Sequence, residues 1–168
     1  ILLYGRDISG SKPGKRGVGM VFQSHALFSH LNVEDNVGYG LRCAGMGKKE
    51  ARARAAAFLS LFNLSGFEKR MPDTLSGGEA QRVSLARTLI VGPKLVLFDE
   101  PLSALDAPLR KKLAAEIRRL QAEMGFTGIM VTHDLAEAKA VSERIIAMKA
   151  GRIIWQGGAA DFDESLLG

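Results

Sequence analysis

Leu95-Val96-Leu97-Phe98 is an apolar run that ends in two adjacent carboxylates, Asp99 and Glu100, followed by Pro101. A buried strand that exits in two acids can divide two tasks between them. Asp99 suits a magnesium ion, a hard cation that takes oxygen ligands and keeps several waters while bridging phosphates. Glu100 suits a general base that orients and deprotonates an attacking water. Upstream, Leu75-Ser76-Gly77-Gly78-Glu79 opens a helical pattern. The first turn of a helix has unpaired N–H groups and the positive end of the helix dipole, so a glycine-bearing start can present bare donors to a phosphate. Ser76 and Glu79 also match a capping box, in which the serine oxygen takes one N–H and the glutamate reaches back to the cap. That explains the serine and the acid but not the two glycines, each of which costs about 1 kcal/mol against alanine inside a helix. Acids and glycine tip together point to a metal-bound nucleotide triphosphate.

The elements that must position these residues are legible in the pattern. Residues 1–8 read as the end of a strand hairpin, and Val18-Gly19-Met20-Val21-Phe22 as a short buried strand ending at Gln23. Helical spacing follows over 33–43 and over 48–63, where Ala55, Phe58, Leu59 and Phe62 recur and residues 45–47 break the two apart. A third helix runs from Gly77 to about Ile90, closed by Gly92-Pro93. From Leu95 the chain alternates strand (95–99), helix (106–124), strand (128–132), helix (135–141) and strand (144–148), the pattern of a parallel sheet with crossover helices. Residues 151–157 read as a last strand in a hairpin with the one before. The expectation is one α/β core over 1–24 and 92–168, with a helical insert over 25–91.

Ligands of parallel sheets gather at the carboxyl ends of the strands, so Gln23, Asp99 with Glu100, and His133 should share one edge. Gln23 alone reads as a surface glutamine, His133 as a loop histidine, and Asp106 as a cap for the helix that begins at Ala107. Their weight comes from convergence.

Composition sets the frame. A chain of 168 residues, 46% apolar and 24% charged, can bury one domain-sized core. No run reaches the roughly 18–20 apolar residues that span a bilayer, and Ile1-Leu2-Leu3-Tyr4 is too short for a signal-peptide core. One cysteine, Cys43, permits no internal disulfide, which suits a reducing compartment. The net charge of +5 is spread over helices, Lys48, Lys49, Arg52 and Arg54 on one and Arg110, Lys111, Lys112, Arg118 and Arg119 on another, with no nucleic-acid-reading module. No nucleic-acid partner is expected.

The succession Ser76-Gly77-Gly78-Glu79, Asp99-Glu100, Ser103-Ala104-Leu105-Asp106 and Thr132-His133-Asp134 resembles the ATP-binding cassette ATPases, from Ile1 to about Phe162. The resemblance implies a P-loop NTPase-like (RecA-like) α/β fold with a helical subdomain, N-terminally incomplete, and ATP hydrolysis with Mg2+. Residue by residue it assigns Asp99 to the metal, Glu100 to the base, His133 to the γ-phosphate and Gln23 to the metal or the attacking water. Ser76, Gly77, Gly78 and Glu79 become the signature that serves ATP held by a partner, and Asp106 crosses the dimer interface. Glutamine is most often found where Glu79 stands, so the carboxylate adds negative charge near the phosphate. Partners are then a second ATPase subunit, in a homodimer, and transmembrane permease subunits. The membrane is reached only through that permease, at the cytoplasmic face of the inner membrane.

The family's phosphate cradle, Gly-x-x-x-x-Gly-Lys-Ser/Thr, has no match here. The nearest string, Ser9 to Arg16, has serine at the first glycine and arginine at the hydroxyl position, and leads into a strand rather than a helix. The resemblance places the cradle upstream of Ile1. The stretch from Val21 to Val37 is similar to the Q-loop region of bacterial importer ATPases for oxyanions, iron, polyamines, glycine betaine and sugars, with Ser29 where proline is usual. There the helices up to about Asn63 form a groove for a coupling helix of the permease, and cargo is chosen elsewhere. Two other readings compete: a non-hydrolysing, degenerate or truncated subunit, and a lobe of a chromosome-maintenance or DNA-repair ATPase. Against the latter, only residues 24–75 separate Gln23 from the signature, and no heptads run through them.

Overall fold

The computed structural model describes residues 1–163; the last residues of the expected core segment, 164–168, lie outside the described residues. The chain opens with an antiparallel hairpin, β1 (Leu2–Leu3) and β2 (Arg6–Asp7), turned at Tyr4 and Gly5 with φ of 48° and 77°. Two left-handed residues match the twist of paired strands, which is why such a turn closes a tight hairpin. The central sheet is parallel, with β4 (Leu95–Asp99) between β3 (Val18–Val21) and β5 (Thr127–Val131). Val21 stands opposite Phe98, and Asp99 opposite Val131, so the three strands end level.

Between β3 and β4 lie α1 (Val33–Val37), α2 (Tyr39–Cys43), α3 (Lys48–Leu59) and α4 (Gly77–Leu89). The helical run expected over 33–43 is divided at Gly38. A Cβ there would stand 3.1 Å from the carbonyl oxygens of both Ala51 and Glu34, so glycine is what lets α3 approach the joint. The expected helix over 48–63 turns 3-10 at Ser60–Phe62 and stops at Asn63 with φ 55°. Val33, Val37, Ala55, Leu59, Phe62 and Val83 of the insert share one buried cluster with Val21, Val96 and Phe98 of the sheet. One continuous core therefore holds the glycine tip and the acids in a fixed relation. Its joint is close: a Cβ on Gly19 of β3 would sit 2.6 Å from Cγ2 of Thr88 on α4.

Beyond β4, α5 (Ala107–Met124) buries Leu113, Ala114, Ile117 and Leu120 at helical spacing and exposes Lys111, Lys112, Arg118 and Arg119. Asp106 caps it, accepting from the Leu109 N–H at 2.9 Å, and Gly125 ends it at φ 70°. After β5 come α6 (Leu135–Val141), β6 (Arg144–Lys149) and β7 (Arg152–Gly158). The strand–helix alternation puts residues 144–148 in the parallel sheet. Among the described residues, β6 instead pairs only with β7, antiparallel, across a two-residue turn at Ala150 and Gly151 (φ 49° and 75°). Apolar alternation specifies a strand but not which edge it joins, and the adjacent hairpin has the least closure entropy to overcome.

Candidate functional site

The level ends of β3, β4 and β5 bring Gln23, Asp99, Glu100 and His133 to one edge of the sheet. His133 Nδ1 lies 3.4 Å from Glu100 Oε1, with the imidazole side chain 74% and the carboxylate 32% exposed. An imidazole beside a carboxylate, both open to solvent, can exchange protons with a water at that edge. Glu100 holds a left-handed backbone, φ 44°, which costs a residue with a Cβ of order 1 kcal/mol or more. Three bonds hold it there. Its N–H donates to Val131 O at 3.0 Å, and its carbonyl accepts from the N–H and hydroxyl of Ser103 at 3.3 and 3.0 Å. The carboxylate is thus aimed off the strand axis by a tether to β5 and a turn that locks behind it.

Asp99 is exposed at the tip of the central strand, and Gln23 is exposed two residues beyond Val21 on the neighbouring one. One charged and one neutral oxygen donor suit a hard cation such as Mg2+. A cage of three or more His, Cys, Asp or Glu side chains does not occur among the described residues. An ion held here draws most of its ligands from water and a bound phosphate, the arrangement magnesium prefers.

The glycine tip is built as a complete capping box. The Ser76 N–H donates to Glu79 Oε2 at 2.7 Å, and the Glu79 N–H donates to Ser76 Oγ at 3.4 Å. That bond from Ser76 holds the Glu79 carboxyl below the usual carboxylate range, so the charge stays at the tip. The two glycines differ. Gly78 is buried, and a Cβ on it would meet the Leu109 side chain, Cδ2 at 2.6 Å and Cγ at 3.2 Å, so an added methyl there requires Leu109 to move. Gly77 is exposed, and a Cβ there would meet only Leu105 Cδ2, at 3.8 Å. Packing gives no reason for glycine at 77. The tip neighbours the 103–106 turn and the start of α5, rather than the Glu100–His133 pair.

Long-range contacts add residues that no local pattern announces. The segment after Gln23 runs through left-handed His25 and Ala26, φ 61° and 48°, and α4 clamps it. Ser84 Oγ donates to His25 O at 2.9 Å, Arg87 donates to the carbonyls of Ala26 and His25 at 2.6 and 3.1 Å, and the His25 ring meets the fully buried Gln81 amide. Burial pushes the Arg87 guanidinium down, yet it keeps its charge because the ordinary value is so high. Asn36, fully buried, accepts from Phe28 N–H at 2.8 Å and donates to the carbonyls of Phe28, Leu31 and Asn32. Beside this clamp an open groove of about 410 Å³ is lined by Met20, Phe22, Phe28, Tyr39, Arg87 and Val91 among others. Gln81 could have been noticed as a polar residue on the apolar face of α4; the rest had no signal in the sequence.

A protein-family model described as ABC transporter matches residues 1–103. The chain is 51% identical over 165 residues to the Fe(3+) ions import ATP-binding protein FbpC 1 of Rhizobium meliloti, covering 98% of this chain and 47% of that protein. It is also 51% identical, over 164 residues, to the spermidine/putrescine import ATP-binding protein PotA of Roseobacter denitrificans, covering 98% and 45%. The chain thus spans about half the length of the curated relatives it matches. Its fold matches a dimeric, post-hydrolysis state of the ATP-binding cassette MJ0796 bound to ADP and Pi, with a TM-score of 0.73 at 35% identity, over 86% of this chain and 64% of that one.

Proposed function

The chain belongs to the ABC transporter family, and from that premise we propose that it is part of an ATP-binding subunit whose ATP hydrolysis powers solute import through a membrane permease. The observation that carries this reading is the 3.4 Å approach of His133 to Glu100 at the carboxyl edge of the sheet, with Asp99 beside them. Glu100 takes the proton of the attacking water, and the His133 imidazole faces the terminal phosphate. Asp99 and Gln23 are the residues to hold Mg2+, which supplies charge neutralisation to the phosphates when bound. The tip Ser76-Gly77-Gly78-Glu79 offers the first N–H groups of α4 to ATP held by a second copy of the subunit, and Asp106 lies at that contact.

Fe(3+) and spermidine/putrescine name two different cargoes among relatives of equal identity, so this portion of the subunit does not select the cargo. The groove with exposed Phe22, Tyr39 and Val91 suits an apolar helix of the permease. No helix among the described residues is long and apolar enough to cross a membrane. Membrane association then runs through the permease, at the cytoplasmic face of the inner membrane. The division into an α/β core, 1–24 and 92–168, and a helical subdomain, 25–91, belongs to the same proposal. The deciding experiment is Glu100→Gln in the full-length gene product: ATP should stay trapped and unhydrolysed. Turnover at the unmodified rate would remove Glu100 as the base, and no ATP turnover by the unmodified protein would remove the hydrolytic reading.

A further inference from the structure

We infer that Arg110 is a positioning residue that ties the 103–106 turn to the loop carrying His133, so that contacts at the glycine tip and the turn set the aim of the imidazole. The inference rests on the ATPase reading above. Arg110 stands in the first turn of α5 and divides its guanidinium between two segments: Nη1 donates to Asp134 Oδ2 at 2.7 Å, and Nη2 donates to the Leu105 carbonyl at 2.9 Å. Both side chains of the ion pair are about 30% exposed, 31% for Arg110 and 28% for Asp134. A surface ion pair alone is worth little. This one is fixed at both ends.

On one side, Asp134 belongs to a closed ring of hydrogen bonds. Its Oδ1 accepts from the Glu137 N–H, its own N–H donates to Thr132 Oγ1, and that hydroxyl donates to Glu137 Oε2, each at 3.0 Å. The bond from the Glu137 N–H and the Arg110 guanidinium hold the Asp134 carboxyl below the usual range. Glu137 is 5% exposed, so the ring is seated in the protein. The ring fixes the backbone on both sides of His133, whose side chain projects into solvent toward Glu100. On the other side, Leu105 is buried, and it is the side chain nearest to Gly77. Leu105, Arg110 and Asp134 are therefore bonded in series up to the loop of His133, and the Leu105 side chain lies beside the exposed tip, where a Cβ on Gly77 would meet its Cδ2 at 3.8 Å. The geometry has a chemical requirement: the two acceptors are met by two separate nitrogens of one rigid planar fork, whereas a lysine ammonium gathers its donors on a single atom of a flexible stem and does not reproduce that spacing.

Spatial continuity is not coupling, so the test measures coupling directly. In the full-length gene product, the variants are Arg110→Lys, Arg110→Met, Asp134→Asn and the Arg110→Met/Asp134→Asn double. Asn at 134 keeps the cap of α6 and loses only the charged acceptor. We expect Arg110→Lys and Arg110→Met to lower kcat for ATP about 10- to 100-fold, the scale of a small misplacement of a reacting group. KM should stay within about twofold and Tm within about 2 °C, and the double variant should be no slower than Arg110→Met. Full kcat in Arg110→Lys, additive losses in the double variant, or losses of kcat that track Tm would overturn the inference. Glu100→Gln is run alongside. A turnover-dead Glu100→Gln with normal Arg110 variants refutes only the positioning role, while an unmodified protein that does not turn over ATP refutes the ATPase reading itself.

Discussion

Replacing Gly77 by alanine separates a fold requirement from a ligand requirement at the glycine tip. Gly77 is the first residue of α4, its φ is not positive, and a Cβ there meets one atom, Leu105 Cδ2, at the ordinary contact distance of 3.8 Å. Alanine is therefore compatible with the native backbone, and removing glycine's freedom in the unfolded chain should stabilise the protein by about 0.4–1 kcal/mol. For a domain of this size that raises Tm by roughly 1–4 °C. On the proposed function, the same methyl group stands where a phosphate would reach the first N–H groups of the helix. Losing one aimed donor costs about 10²–10³ in rate, or roughly 2.7–4 kcal/mol of transition-state stabilisation, by analogy with oxyanion holes. Stability and activity should thus move in opposite directions. Gly78→Ala is the contrast, because its Cβ at 2.6 Å from Leu109 Cδ2 forces repacking and costs about 1–3 kcal/mol of stability. Thermal melts and steady-state phosphate release on the full-length gene product read both quantities. A Gly77→Ala protein that melts higher and still releases phosphate within twofold of the unmodified rate would refute the argument that the tip meets a phosphate.

Two further outcomes concern the framework. Asn36→Ala strips the Phe28 N–H of its acceptor and removes the side-chain donor from the carbonyls of Phe28, Leu31 and Asn32, of which Phe28 and Asn32 keep a backbone donor. Urea unfolding should show a loss of about 2–3 kcal/mol, and a loss under about 1 kcal/mol would mean that the loop finds other partners. The Arg52 fork, bonded to Asp35 at 2.8 and 2.6 Å, holds that carboxyl below its ordinary value. A depressed acid contributes stability that is whole above the unfolded pKa of about 4 and is lost as pH falls through the lower folded value. Asp35→Asn should accordingly flatten the acid side of a Tm-versus-pH curve below about pH 4, and an unchanged slope would show that the pair adds nothing.

Asp99, Glu100, Ser76 and the two glycines were readable because each lies in a local signal: an apolar run that ends in acids, or a cap that begins a helix. The strands and helices around them followed for the same reason. The division at Gly38 was less visible, since glycine within a helical pattern does not say which backbone approaches it. The hairpin of β6 with β7 was readable, but its separation from the parallel sheet was not, because alternation names a buried face and not which sheet a strand joins. His25, Arg87 and Arg110 carried no signal, since they join segments far apart in the chain and polar side chains of these types usually meet water.

Order and type of the elements were thus written in the chain itself, in apolar periods of two and of 3.6 and in residues that start or stop a helix. So were the candidate side chains Asp99, Glu100, His133 and Ser76. Tertiary structure alone decided which groups meet: that His133 faces Glu100, that a Cβ on Gly78 would press on Leu109 and one on Gly77 would not, and that one guanidinium joins two loops. The reason is physical. Local propensity depends on neighbours within a turn or a pleat, whereas these contacts depend on level strand ends and on helices packed within a single core, which exist only after the chain has closed on itself.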